Sequence, residues 1–298
     1  MLGIGGGGDA VGSLAPARSL EALGIEVVLG GVAWERLPVD PYPGPRPLEL
    51  ILGAKPVGAN AAVIDPEIGA TTPEGAHFCE SRLSQFLGLP TALIDITNGA
   101  AGAAEGIGAA AAALGCDLVC LIDIGGDAIA EGGEPGLASP LCDAVMIAAG
   151  ARLDPGLTTL LGVLGAGCDG ELLPAEVLAR VSVLAEVGAW IETLGVSPEA
   201  ASEIEAASQV AITEASLLVA QAARGQAGPT EIRGGRRIVE LSPVAALCFL
   251  FDLEAALTAL PLAQAVADAP TIFAARDALA ALGVGTELDY ELGRAAQA

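Results

Sequence analysis

Acidic residues recur beside glycines in this sequence, and that pairing of residue types can do chemistry. Asp123 and Asp127 stand on either side of Gly125 and Gly126, and Asp169 and Glu171 flank Gly170. Carboxylates are hard oxygen donors, and Mg²⁺ is commonly held by one or two of them together with water and a substrate phosphate. Asp123, Asp127 and Asp169 are therefore metal-ligand candidates, with Mg²⁺ the expected ion. The run Gly5-Gly6-Gly7-Gly8-Asp9 offers a second chemistry. Backbone N–H groups without side chains in the way can approach a phosphate, and a helix starting there adds its own unpaired N–H groups. Gly125 and Gly126 are candidates for the same role. Asn98, in Asp95-Ile96-Thr97-Asn98-Gly99, is suited to anchoring a carbonyl or a hydroxyl.

Proton transfer needs a group that titrates within reach of neutral pH. His77, in Pro73-Glu74-Gly75-Ala76-His77-Phe78-Cys79-Glu80, is the single histidine, and Asp127 and Glu171 are the other candidates. One histidine per chain excludes a zinc held by two or three imidazoles, and any Ser-His or Cys-His nucleophile would have to use it. Six cysteines without a CxxC pair read as buried thiols. Each acid also has a plainer reading as the cap of a following helix, and Asn98 as a turn residue. Trp34-Glu35-Arg36 reads as a packing anchor or a pocket wall, and Arg233, Arg236 and Arg237 as solvated charges of which one can reach a phosphate. The recurrence of acids in four loops, in a chain with few charges, favours function.

The elements that must position these residues follow from the hydrophobic pattern. Residues 1–5, the Gly loop, a small-residue helix and an apolar run at 25–29 spell strand, loop, helix, strand, the opening of a parallel α/β unit. Five prolines between Pro38 and Pro47 make an extended loop. Buried strands are expected at 61–64, 91–94, 118–122 and 157–164, with helices at 81–87, 100–114 and 141–151 between them. Helices are expected again over 174–186 and 198–224, and from about 243 and 271. A hairpin spans 230–241 around Gly234-Gly235, and a last strand lies at 286–290. The expected architecture is one α/β domain over 1–298: a Rossmann-like open parallel sheet flanked by helices over 1–190, and a helical and hairpin extension over 191–298. In such a sheet the carboxyl ends of all strands meet one edge, so the four acidic loops should converge there.

Composition narrows the partners. Thirteen Lys and Arg against 37 Asp and Glu leave a net charge of −24, and Lys55 is the only lysine. A surface of that sign repels nucleic acid and anionic lipid, so neither is an expected partner. Mean hydropathy is +0.60. Yet no uncharged apolar run reaches the ~18 residues of a membrane span: residues 100–115 contain Glu105, and 242–251, read as buried helix, stop at Asp252. No leader pattern opens the sequence, and a cytoplasmic location is the expectation. The function expected is an enzyme that binds a phosphorylated small molecule, a sugar phosphate or a nucleotide, with help from Mg²⁺. An NAD(P)-dependent oxidoreductase is the alternative, although Leu29-Gly30-Gly31 stands where the ribose-binding acid belongs unless Glu35 serves. A non-catalytic nucleotide sensor or a homo-oligomeric scaffold joined through Ala-rich helices is a third.

Three motifs together, Gly5-Gly6-Gly7-Gly8-Asp9, Asp123-Ile124-Gly125-Gly126-Asp127 followed by Ser139-Pro140-Leu141-Cys142-Asp143, and Gly167-Cys168-Asp169-Gly170-Glu171-Leu172, resemble a bacterial and archaeal family catalogued as a domain of unknown function. The resemblance spans most of the chain and implies that these loops belong together, without implying an activity. Asp123-Ile124-Gly125-Gly126 also resembles the first phosphate loop of sugar kinases of the actin-like superfamily, which carries Thr or Ser where this chain has Asp127.

Overall fold

Short aliphatic runs bounded by glycine or acid form strands here, because a sheet covered on both faces buries such runs while pairing their backbone. The computed structural model describes residues 1–297. Among them the strands are β1 (Leu2–Gly3), β2 (Gly30–Val32), β3 (Lys55–Pro56), β4 (Ala61–Ile64), β5 (Thr91–Ile94), β6 (Leu118–Ile124), β7 (Thr158–Leu164), β8 (Trp190–Gly195), β9 (Gly228–Ile232), β10 (Arg237–Leu241) and β11 (Leu247–Asp252). Nine of these form one sheet in the order β3-β4-β5-β2-β1-β6-β7-β11-β8, while β9 and β10 make a separate antiparallel hairpin. The five central strands from β5 to β7 are parallel. Antiparallel strands complete both edges, β4 and β3 on one side and β11 and β8 on the other.

The connecting helices divide between the two faces. On one face lie α1 (Asp9–Gly12), α2 (Leu14–Glu21) and α3 (Cys79–Leu87), which precede β5 in the chain. On the other lie α4 (Gly99–Leu114) and α5 (Pro140–Gly150), which link β5 to β6 and β6 to β7. Strand β6 shows how the residues sort: Val119 and Leu121 face α4 and α5, while Cys120, Ile122 and Ile124 face α1. The second half adds α6 (Pro174–Glu186), α7 (Pro198–Ala207), α8 (Glu214–Ala223), α9 (Leu253–Leu257), α10 (Pro261–Val266), α11 (Ile272–Ala281) and α12 (Glu287–Ala295). α7 and α8 cover the α1 face, and α9 to α11 the α5 face. Wedged between β6 and its neighbours, α5 buries every one of its residues within the chain.

This is a mixed, Rossmann-like α/β fold. The chain steps outward from β1 through β2 to β5, then returns to β6 on the other side of β1. That reversal opens a crevice beyond the carboxyl ends of β1 and β6, the place where open α/β sheets bind ligands. No helix among the described residues is long and apolar enough to cross a membrane.

Several local expectations change. Residues 25–29 are not a strand; pairing begins at Gly30. The helix expected from 243 is a 3₁₀ turn, Pro243–Ala246, leading into β11. A five-residue apolar run fits either element, and the place between β7 and β8 decides for strand. The strand expected at 286–290 is instead the start of α12, closed by a capping box of Thr286 and Asp289. β8 was not expected, and the helix expected over 198–224 is two, broken before the Thr213 cap of α8. Phe251 on β11 is fully buried in the core on the α5 face. Phe251→Ala is expected to lower the unfolding free energy by about 3–5 kcal/mol in urea titration; a change within experimental error would show that β11 contributes nothing to the core.

Candidate active site

At the crevice the chain turns sharply after each central strand, and the missing Cβ atoms decide what can gather there. After β1 the Gly loop folds back so that Gly5 N donates to Asp9 Oδ2 at 2.9 Å, and a Cβ on Gly5 would lie 2.7 Å from that oxygen. After β6, Gly125 at φ +145° lets Asp169 close in: a Cβ there would lie 2.5 Å from the Asp169 carboxyl carbon. Asp123, the next-to-last residue of β6, accepts at Oδ2 from Gly126 N at 2.8 Å. From the other wall, α5 contributes Asp143 in its first turn.

These turns assemble two carboxylate groups side by side. Asp9, Asp123 and Asp143 each bring an oxygen within 4.8 Å of the others, and so do Asp127, Asp169 and Glu171. The cleft lined by all of these but Glu171 holds about 340 Å³, and the Gly loop, Thr213, which packs against Gly8, and Arg233 complete its walls. Asp123 and Asp143 are each 1% exposed. Both Asp143 oxygens lack any hydrogen-bond partner, as does Asp169 Oδ2. Burial, reinforced by neighbouring negative charge, pushes the carboxyls of Asp123, Asp127 and Asp143 well above the ordinary carboxylate range. Burial raises Asp9 to about 7 against hydrogen bonds from the Gly5 and Ile124 backbone and the charge of Arg36. It raises Asp169 to about 7 as well, with the charge of Glu171 adding to the effect.

The supports of this cluster come from distant sequence. Glu287, at the start of α12, accepts from Leu141 N at 3.1 Å and Cys142 N at 2.9 Å. Glu171 accepts from Ala138 N at 2.7 Å, Ser139 N at 2.8 Å and Ser139 Oγ at 2.6 Å. Two carboxylates thus hold the amino end of α5, where N–H groups and the helix dipole favour negative charge, and so fix where Asp143 stands. Arg36 lies over the Trp34 ring at 4.2 Å, donates to Gly5 O, and meets Glu287 at 3.2 Å. Burial alone would disfavour its charge, but Glu287 and the other nearby acids outweigh that and keep its guanidinium protonated.

The expected site residues divide accordingly. Gly5, Gly6, Gly7, Gly8, Asp9, Asp123, Asp127 and Asp169 line the one cleft. The expected ligand trio of Asp123, Asp127 and Asp169 is split, with Asp123 joining Asp9 and Asp143. Gly125 and Gly126 shape the turn but have no free amide for an anion: Gly125 N donates to Leu164 O and Gly126 N to Asp123. Gly5 and Gly7 have likewise committed theirs, to Asp9 and Trp34 O. Glu171 is tied into three hydrogen bonds at the edge of the cleft. His77 and Asn98 lie outside its lining. His77 bridges to Thr71 in the segment between β4 and α3, and Asn98 begins α4 and donates to Asn60 at 2.8 Å. The residue that sequence reasoning passed over is Asp143. Its signal is a lone charge in a helix apolar on all sides, where an unpaired acid is costly to bury.

A carboxyl with a higher pKa folded than unfolded binds its proton more tightly in the folded state. Stability from this cluster is therefore greatest below the ordinary value of 3.8 and is lost as pH rises toward about 7. Asp143→Asn removes one of the repelling charges. In EDTA its melting temperature should exceed that of the wild type at pH 8, with the difference shrinking toward pH 5; a difference independent of pH would refute the electrostatic account.

No curated protein and no solved structure matches the sequence. Residues 1–295, which include every side chain of both carboxylate groups, match the family described as Protein of unknown function (DUF1152), and the chain belongs to that family.

Proposed function

We propose that the chain is a divalent-cation-dependent enzyme that holds Mg²⁺ at Asp9, Asp123 and Asp143 and acts on a phosphorylated small molecule in the adjoining cleft. The observation that carries this reading is Asp143, 1% exposed with neither carboxylate oxygen hydrogen-bonded. Leaving an ionised carboxylate buried and unpaired is among the costliest arrangements a fold can hold, and a cation relieves it directly. Three carboxylates with oxygens within 4.8 Å of one another present the hard donor set that Mg²⁺ prefers over soft or imidazole sites.

A cation so held supplies Lewis acidity and a bound water of lowered pKa. The chain's own groups supply the rest. Asp169, with its carboxyl near 7, has the affinity to take a proton from water or a substrate hydroxyl and return it at neutral pH. Arg36 and Arg233 stand on the same cleft as the groups to meet substrate negative charge. Both a sugar phosphate and a nucleotide fit this chemistry. A dinucleotide is less well served, because the Gly5 and Gly7 amides are already bonded. Six free cysteines, five of them buried, suit the reducing cytoplasm as the place of action.

Isothermal titration with Mg²⁺ and Mn²⁺ is the direct test. The wild type should bind and gain thermal stability, more so at pH 8 than at pH 6, where protons compete for the same oxygens. Asp143→Asn should lose affinity by about a hundredfold, with its fold intact. Absence of binding to the wild type, or equal affinity in the variant, would overturn the proposal. Turnover screened across sugar phosphates and nucleotides should then depend on the metal.

A further inference from the structure

The acidic cleft is a poor place for a phosphate by itself, and a second cavity beside it gathers four arginines among four glutamates, Glu171, Glu214, Glu287 and Glu291. It holds about 510 Å³ and is lined by Arg36, Arg233, Arg236 and Arg237, with Ser139 and Tyr290. Arg36, Ser139 and Arg233 face both cavities, so the two form neighbouring compartments of one site. Four of the chain's 13 cationic residues converge there, three of them from the hairpin of β9 and β10. We propose that this arginine-lined cavity, and not the Gly loop, binds the phosphoryl group of the substrate. The inference deepens the proposed function and rests on its reading of a phosphorylated substrate.

The hydrogen-bond inventory separates the cations from the acids on the same walls. The acids have partners: Glu171 accepts from Ala138 and Ser139, Glu287 from Leu141 and Cys142, Glu291 from Trp34 Nε1 and Gly44 N, and Glu214 from Arg233 N. The arginines keep most of their donors free. Arg233 comes no closer than 3.8 Å to Glu171, beyond hydrogen-bond length. Arg237 uses one terminal nitrogen, 3.4 Å from Glu171 and 3.3 Å from Asp169 O. Arg236 donates only Nε, to Arg233 O at 2.8 Å. A guanidinium carries five N–H donors in a planar fork that matches phosphate oxygens, so these three present an anion site with capacity to spare.

The backbone gives an independent indication. Arg233 has φ +53° and is the only non-glycine residue with positive φ among those described. Two glycines follow it in the same turn, and a glycine would occupy the position without strain. An arginine in place of glycine at that turn position puts a guanidinium at the rim of the cavity. With the phosphoryl group at Arg233 and Arg237, the shared wall at Ser139 leads the rest of the substrate toward the carboxylates.

The test uses pyrophosphate and inorganic phosphate as probes in isothermal titration, each in saturating Mg²⁺ and again in EDTA. Arg233→Gln/Arg237→Gln should weaken pyrophosphate binding by about tenfold or more, while Mg²⁺ affinity changes by less than about threefold. Asp143→Asn should show the converse, losing Mg²⁺ but retaining pyrophosphate binding in EDTA. Should the double variant melt early, Arg236→Gln gives the second reading, with a weakening of about threefold or more. Pyrophosphate affinity unchanged in the arginine variants, or abolished together with Mg²⁺ binding in Asp143→Asn, would overturn the assignment. Binding of pyrophosphate in EDTA by a wild type that ignores Mg²⁺ would sink the metal reading and leave this one standing.

Discussion

Carboxylates packed together and buried in one crevice are the constraint around which this molecule is arranged. Asp123, Asp127, Asp143 and Asp169 are all buried, and burial together with neighbouring negative charge raises the cost of ionising them. A fold that needed only stability would place leucine or valine at these positions. Buried like charges that lower stability are the familiar mark of a site kept for binding or catalysis.

The rest of the architecture serves to hold that arrangement open. Glycines at 5 and 125 remove the side chains that would otherwise keep Asp9 and Asp169 out. Helix α5 is buried on all sides and anchored at its amino end by Glu171 from the loop after β7 and Glu287 from α12. Arg36 ties the Gly loop to that same Glu287. The last described helix is thus linked directly to the helix carrying Asp143 and, through Arg36, to the first loop. The two cavities differ in how their charges are engaged: carboxylates gather at the ends of β1 and β6 with oxygens left unbonded, while the glutamates beside the hairpin arginines already accept hydrogen bonds. On the proposed reading, the arginines would meet the anionic group of the substrate and the carboxylates the cation.

Much of the core fold could be read from residue order. Period-two burial, short aliphatic runs and Gly-Asp loops at strand ends announce a parallel α/β unit, and the crevice at the reversal of strand order follows from that topology. The acids in those loops were legible for the same reason: a strand's carboxyl end is local information. Asp143 stood in plain view as the one charge of an apolar helix, but its meaning depends on which neighbours that helix meets. His77 has suitable chemistry but lies outside the cleft lining, bridged to Thr71 in the segment between β4 and α3, a placement that only the tertiary pairing decides.

By itself, then, the sequence determined the element types of its strongly patterned segments and the cleft at which three of its four acidic loops meet, the loop at 95–99 staying outside the lining. It could not determine that β11 is a strand, since five apolar residues suit either element until a neighbour offers hydrogen bonds. Nor could it pair Glu287 with Cys142, residues 145 positions apart. Tertiary structure decided those matters, and with them which carboxylates share a cluster, because local pattern sets the direction of a side chain while only chain topology sets what lies opposite it.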